Sequence, residues 1–288
     1  MTTKFLNETD ELLRALMLEA EVHTVPFDGG QVTWRRFGSG DPLIMLHGGH
    51  GRWTHWVHNI RALSSCFTLW IPDLPGFGDS DKPVQETLES LVDATLQTLN
   101  ILVPCEVPLR MLAFSFGSLV AVSMAAKRGS VARLALLGPA GHGGIRRPLG
   151  ELRQWRDLPL NSQAWHETMR YNLMMLMIHH DEHGDALAVQ IHSDACVKAR
   201  FHSKHLSRAG RLPELLNQYQ GPLLLMWGEH DVTADPNHAA YLLATGRSDC
   251  QVDLVANAGH WVQYEAATQV NKHLLTWLNG PTPKVTTT

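Results

Sequence analysis

The sequence predicts the α/β class: a mostly parallel, eight-stranded sheet with helices on both faces and a helical cap insertion. Three observations point there. Short apolar runs alternate with longer stretches of helical spacing, the pattern of β-then-α units gathered into one parallel sheet. A glycine turn, Asp28-Gly29-Gly30, separates the first two runs. Residues 139–213 then break the alternation, with Arg, Trp, His and Met at helical spacings but no convincing strand.

In chain order, strands are expected at 22–27, 31–37, 43–46, 67–71, 108–114, 133–137, 222–227 and 251–255, each a short apolar run bounded by turn-forming residues. The first two, joined through the glycine turn, read as a hairpin, so one edge of the sheet is expected to be antiparallel. Helices are expected at 53–63, 86–102, 117–127, 236–245 and 262–278. A strand that returns parallel to its predecessor needs such a crossover, and crossovers on both faces bury the sheet between them. The stretch 139–213 is expected to lie over the sheet as a cap. This divides the chain into a first core part, 1–138, the cap, a second core part, 214–280, and a Pro- and Thr-rich tail, 281–288, expected to be disordered.

Composition narrows the function classes. The 288 residues carry 24 Lys and Arg against 28 Asp and Glu, with no basic run long enough to track a phosphate backbone, so nucleic acid is not an expected partner. Cys66, Cys105, Cys196 and Cys250 are dispersed, with no C-x-x-C pair, which fits a reducing compartment better than a disulfide framework. The N-terminus runs straight into an acidic amphipathic stretch, 8–21, without the apolar centre of a signal peptide, and the strongest mid-chain apolar run, 173–178, is far shorter than the roughly 20 residues of a membrane helix. A cytoplasmic protein acting on a small molecule is expected, without a membrane partner or a cofactor. A homodimer is left open.

The chemistry centres on Ala113-Phe114-Ser115-Phe116-Gly117, where an expected strand gives way to an expected helix. A strand-turn-helix junction lifts a serine hydroxyl out of the sheet, and the tight bend wants small neighbours, here Ala113 and Gly117. On its own the pattern fits a buried small residue at a strand end equally well, so its partners decide. A serine hydroxyl needs a base. His260, after the last expected strand, lies at the sheet edge where parallel strands all end. An imidazole needs a carboxylate to fix its tautomer, and Gly228-Glu229-His230-Asp231-Val232-Thr233-Ala234-Asp235-Pro236 offers three. Asp235 precedes Pro236 and reads as a helix N-cap, Glu229 sits in the turn itself, and Asp231 is the choice. Backbone donors for a developing oxyanion are expected from Gly49, in the glycine-rich turn after the third strand, and from Phe116.

Taken together these pieces resemble the α/β-hydrolase superfamily, whose chain order of nucleophile, acid and histidine is matched by Ser115, Asp231 and His260. The resemblance covers roughly 31–278 and includes His47-Gly48-Gly49, the turn Asp73-Leu74-Pro75-Gly76-Phe77-Gly78-Asp79-Ser80, Trp227-Gly228-x-x-Asp231 and Gly259-His260-Trp261. Within it the chain looks most like the meta-cleavage product hydrolases, which split carbon–carbon bonds of dienoates. The carriers are Leu43 through Gly49, Leu136-Leu137-Gly138-Pro139-Ala140-Gly141 and Gly259 through Glu265. The elbow departs from that family's G-N-S-M-G-G, with Phe114 where the asparagine stands and Ser118 for the last glycine. The family's cap arginine for the substrate carboxylate aligns near His192, with Arg200 close by. Phe114, His192, Arg200 and Trp261 are therefore the expected substrate-facing residues. The superfamily resemblance implies a serine hydrolase acting on a small, largely apolar carbonyl compound, and the departure at Phe114, which can donate no hydrogen bond, favours a carboxylic ester. The alternatives are carbon–carbon hydrolysis of a dienoate and a non-catalytic ligand receptor on the same fold.

Other signals are set aside. His179 and His183 at i, i+4 would suit a metal, but no third ligand is identifiable, so no metal site is expected. The Met-rich run 169–177 reads as cap core, with part of it available to line an adaptable apolar pocket. Trp53 and Trp56 read as packing, and Arg146 and Arg147 as a cap hinge or an attraction for an anionic substrate.

Overall fold

A computed structural model describes residues 2–280; the tail expected at 281–288 lies outside the described residues. The N-terminal stretch forms helix α1 (Thr2–Glu19), whose Leu16 is fully buried. There follow β1 (Glu21–Phe27), β2 (Gly30–Phe37), β3 (Asp41–Leu46), α2 (Ile60–Ser64), β4 (Phe67–Pro72), α3 (Leu88–Leu102), β5 (Leu109–Phe114), α4 (Gly117–Arg128) and β6 (Val131–Leu137). An all-helical excursion comes next, with α5 (Gln163–Leu176), α6 (Ala186–Lys198), α7 (Lys204–Arg208) and α8 (Leu212–Leu216). The chain returns through β7 (Leu223–Gly228), α9 (Pro236–Ala244), β8 (Cys250–Val255), α10 (Val262–Glu265) and α11 (Ala267–Leu278).

The eight strands form one sheet in the order β1-β2-β4-β3-β5-β6-β7-β8. β2 pairs antiparallel with both β1 and β4, and every later pairing is parallel. Successive residues of the central strands serve opposite faces, as the period of two requires. Ile44 and Leu46 of β3 and Met111 and Ala113 of β5 join a core with α3, α4, α8 and α9. Leu43, Met45, Leu112 and Phe114 join another with α1, α2, α6 and α11. Burial on both faces is why these strands read as continuous apolar runs, and each large side chain so buried contributes roughly 1.5–3 kcal/mol.

Two expected helices are broken, each for a polar reason. The stretch 53–63 is a 3-10 turn at Trp53–Trp56 followed by α2. Between them buried Asn59 donates to the Gln263 carbonyl (3.1 Å) and to Asn271 Oδ1 (2.8 Å), anchoring the turn on α10 and α11. The stretch 262–278 divides into α10 and α11 where Glu265 turns its carboxylate inward. That carboxylate accepts the N–H groups of Gly259 (2.6 Å), His179 (2.8 Å) and His180 (3.0 Å), so it ties the loop before α10 to the end of the α5 segment. α8 straddles the boundary expected at 213 and packs with the core side: Leu212 and Leu216 belong to the cluster around α4.

Buried polar groups hold the C-terminal ends of β3 and β4 together. Asp73, just past β4, is fully buried and accepts from Arg35 (3.1 Å) and from the N–H groups of Trp53 (2.8 Å) and Asp79 (3.0 Å). Next to it, His47 accepts the Leu74 N–H at Nε2 (2.9 Å) and therefore donates to the Gly48 carbonyl from Nδ1 (2.8 Å). A second proton would set Nε2–H against Leu74 N–H. Burial opposes the charge as well, pushing the His47 pKa down to about 4, and it does the same to His192 on α6.

Because both imidazoles have folded pKa values below the ordinary value near 6.5, the unfolded chain takes up protons first as pH falls. Stability is fully present above about pH 6.5 and is lost progressively towards pH 4. Urea midpoints measured at pH 7.5, 6.5, 5.5 and 4.5 should be level over the first two and fall steeply over the rest. A midpoint that holds level down to pH 4.5 would contradict the neutral assignment.

Candidate functional site

Ser115 stands between β5 and α4 with φ +51. A left-handed backbone costs a non-glycine residue about 1–3 kcal/mol and persists only where its surroundings hold it. Here the Ser115 N–H donates to the Leu137 carbonyl (2.9 Å), while the Ser115 carbonyl accepts from Ser118 (3.0 Å) and from Ala140 (3.1 Å). Gly117 lies so close to β3 that a Cβ would sit 2.6 Å from the His47 carbonyl oxygen and 2.7 Å from that of Leu46. Ala113, by contrast, is a strand residue outside the left-handed region, so its methyl group meets no backbone strain.

The turn lifts the hydroxyl towards His260. Ser115 Oγ lies 3.0 Å from His260 Nε2, and His260 Nδ1 lies 2.7 Å from Asp231 Oδ2. Asp231 is fully buried; its Oδ1 accepts from the Thr233 N–H (2.7 Å) and the Thr233 hydroxyl (2.8 Å). Burial alone would raise the Asp231 carboxyl, but the facing imidazole and the Thr233 donors outweigh it and hold the group below the usual carboxylate value. The other carboxylates of this loop serve elsewhere. Asp235 caps α9 by accepting from His238 N–H (3.0 Å), and Glu229 accepts from Asn257 N–H (3.3 Å).

Beside the hydroxyl, the amides of Gly49 and Phe116 donate to no protein acceptor among the described residues. The two are adjacent: a Cβ on Gly49 would lie 3.6 Å from Phe116 Cβ. The Gly48 amide is engaged, in a long contact of 3.4 Å to His55 Nδ1. A cleft of about 200 Å³ reaches His260 from outside. Met174, Met175, Met177 and Ile178 line it from the excursion, with Val232 from the loop after β7. At its rim His179 and His230 stack at 3.7 Å.

Of the four residues expected to face a substrate, Trp261 and Arg200 are engaged elsewhere, and His192 and Phe114 are buried near the site. Trp261 is wholly buried, donates from Nε1 to the His55 carbonyl (3.1 Å) and stacks on Tyr264; it is core. The Arg200 guanidinium is taken up by the carbonyls of Gly78, Lys198 and Ser80, so it clamps the excursion to the turn after β4. His192 is buried and held neutral, with Cys196 Sγ at 3.7 Å, and supplies no charge for a carboxylate at neutral pH. Phe114 is 1% exposed and lies against the rings of His260 (4.9 Å) and His55 (5.4 Å), where it packs on the imidazole. Arg146 and Arg147 also serve backbone, reaching the Ser207 and Glu229 carbonyls. Among the described residues no group of His, Cys, Asp or Glu is arranged to hold a metal, and no helix is long and apolar enough to cross a membrane.

Residues 43–273 match the alpha/beta hydrolase family. The chain belongs to it. This hydrolase is 27% identical over 276 residues to the dihydrolipoyllysine-residue acetyltransferase component of an acetoin cleaving system from Pseudomonas putida, covering 87% of this chain and 67% of that one. It is 24% identical over 262 residues to a 2-hydroxy-6-oxo-6-phenylhexa-2,4-dienoate hydrolase from Comamonas testosteroni, covering 86% and 91%. Among solved structures, a carboxylesterase from Bacillus subtilis aligns with TM-score 0.74 at 20% identity over 97% of this hydrolase and 98% of that chain, a likeness of fold.

Gly138, just past β6, belongs to none of the expected site residues yet lies against the imidazole. It has φ +47, and a Cβ there would lie 2.9 Å from His260 Nδ1 and 3.2 Å from Asp231 Oδ2. Gly138→Ala should therefore push the imidazole off the carboxylate. Hydrolysis of p-nitrophenyl acetate is expected to fall at least about tenfold while the protein stays folded, since a displaced base of this kind is worth roughly 10²–10⁴ in rate. Unchanged kcat/KM in a folded Gly138→Ala variant would show that the close approach is immaterial.

Proposed function

We propose that the chain is a serine hydrolase of small, largely apolar carboxylic esters, with Ser115, His260 and Asp231 as its catalytic triad. The observation that carries this is the unbroken hydrogen-bond chain from Ser115 Oγ through both ring nitrogens of His260 to the buried Asp231 carboxylate. In this reading Ser115 Oγ attacks the ester carbonyl as His260 Nε2 takes its proton. Asp231 stabilises the imidazolium, and the Gly49 and Phe116 amides hold the oxyanion. Collapse expels the alcohol, which receives the proton from Nε2–H. A water then repeats the sequence on the acyl-serine, releasing the acid and restoring the hydroxyl. The methionine-lined cleft beside His260 suits an apolar, variable group, because thioether chains repack readily.

Carbon–carbon hydrolysis of a dienoate is the second reading, favoured by the likeness to a dienoate hydrolase over 86% of the chain. Against it stands the polar inventory. A dienoate brings a carboxylate, and the side chains expected to receive it supply no free charge: Arg200 is occupied, His192 is neutral and Phe114 donates nothing. An unpartnered oxygen in the site would cost roughly 1–3 kcal/mol, about a ten- to hundredfold loss of rate.

Two outcomes are expected. Ser115→Ala should abolish turnover with the thermal midpoint preserved, whereas activity near that of the parent would remove Ser115 from the mechanism. Side by side, short alkyl or aryl esters should give a higher kcat/KM than any meta-cleavage dienoate. A preference for the dienoate would reverse the order of the two readings.

A further inference from the structure

The loop carrying Asp231 holds a hydroxyl that the triad does not require. Thr233 Oγ1 lies 2.8 Å from Asp231 Oδ1 and 3.1 Å from His260 Nδ1, so one oxygen touches both partners of the acid–base pair. A carboxylate only accepts, so the Thr233 hydrogen points at Oδ1 and the oxygen presents a lone pair towards Nδ1. Nδ1 thus faces two acceptors, Asp231 Oδ2 at 2.7 Å and Thr233 Oγ1 at 3.1 Å. With the proton on Nδ1 both contacts are attractive. With the proton on Nε2, a nitrogen lone pair would meet the Oδ2 lone pair, and the Thr233 hydroxyl could donate to Nδ1 only by giving up Oδ1.

The threonine is itself held in place. Its carbonyl accepts from His142 Nε2 (3.2 Å), and the tautomer follows because His142 Nδ1 accepts the Gly144 N–H (2.9 Å). Two more bonds join the same segments, Asp235 N–H to the Ile145 carbonyl (2.8 Å) and Ile145 N–H to His238 Nδ1 (3.0 Å). The acid loop is therefore built against the first turn of the excursion.

We infer that Thr233 is a positioning residue for this reaction: its hydroxyl fixes which carboxylate oxygen faces the imidazole and selects the Nδ1–H tautomer that leaves Nε2 free to accept from Ser115. The inference rests on the triad reading above. Removing the hydroxyl leaves Oδ1 with the Thr233 N–H alone and Nδ1 with one acceptor, so the productive tautomer and carboxylate rotamer are less populated. The substrate is not touched, so kcat should fall and KM should not.

The test compares the parent with Thr233→Val, Thr233→Ser and Ser115→Ala. Two readouts are used: p-nitrophenyl butyrate hydrolysis, and the low-field Nδ1–H resonance of His260 in protein carrying 15N-histidine. Thr233→Val removes the hydroxyl at nearly constant volume, and Thr233→Ser keeps it. The expected result is a kcat about ten- to hundredfold lower in Thr233→Val with KM within about twofold, and rescue to within about threefold in Thr233→Ser. The resonance should be sharp in the parent and in Thr233→Ser, and shifted or broadened in Thr233→Val. A Thr233→Val variant with parental kcat and resonance overturns the assignment, and so does a Thr233→Ser variant as impaired as the valine. Should Thr233→Val not fold, Thr233→Ala takes its place: a loss of kcat of about tenfold or more with a shifted resonance upholds the assignment, and parental values overturn it. Turnover surviving in Ser115→Ala would defeat the triad reading separately, and the resonance would still decide the role of Thr233.

Discussion

At φ +51 Ser115 occupies a conformation that only its neighbours make tenable, and those neighbours belong to β6, α4 and the first residues of the excursion. The bend needs β5 and β6 side by side, because the Ser115 N–H must reach the Leu137 carbonyl. It needs Gly117 against the carbonyls of Leu46 and His47, which fixes β3 on the other side. From that bend the hydroxyl meets the imidazole, and the loops after β7 and β8 bring Asp231 and His260 to the same edge. The parallel sheet, whose strands all end on one side, is what makes loops so far apart in sequence neighbours in space.

Around this bend the protein keeps imidazoles neutral by burial and by hydrogen bonds that admit one tautomer. His47 and His142 each accept a backbone N–H at one nitrogen and donate to a carbonyl from the other. His55, wedged near Phe114 and Trp261, is driven well below its ordinary value by burial. Unlike these three, His260 meets a carboxylate at Nδ1 and a hydroxyl at Nε2. The chemistry thus follows from partner type, since seventeen histidines cannot be told apart by residue type alone.

Much of this was legible in the sequence. Strand period, the glycine turn and the strand-turn-helix junction at Ser115 are local signals, and they placed all eight strands. Asp231 was separable from Asp235 because Pro236 marks a helix start. What escaped were contacts made by folding. Nothing in Glu265 announces that it gathers three N–H groups from two segments, and nothing in Thr233 reveals a hydroxyl shared between acid and imidazole. Arg200 and Trp261 misled for a related reason: an arginine in a cap and a tryptophan beside a histidine suit substrate contact, yet backbone carbonyls and the core claimed them first. The two broken helices at 53–63 and 262–278 were invisible because each break serves a buried polar group whose partner lies far along the chain.

The central claim is that the hydrogen-bond chain ending at Asp231 makes one serine hydroxyl nucleophilic. Intact-mass analysis after treatment with an alkyl fluorophosphonate, followed by peptide mapping, tests it most directly. The account predicts a single phosphonyl adduct per chain, located on Ser115, with activity lost in proportion to labelling and with the adduct missing from a folded Asp231→Ala variant on the same timescale. An adduct on a different residue, or hydrolysis that continues at full rate once Ser115 is fully labelled, would contradict it.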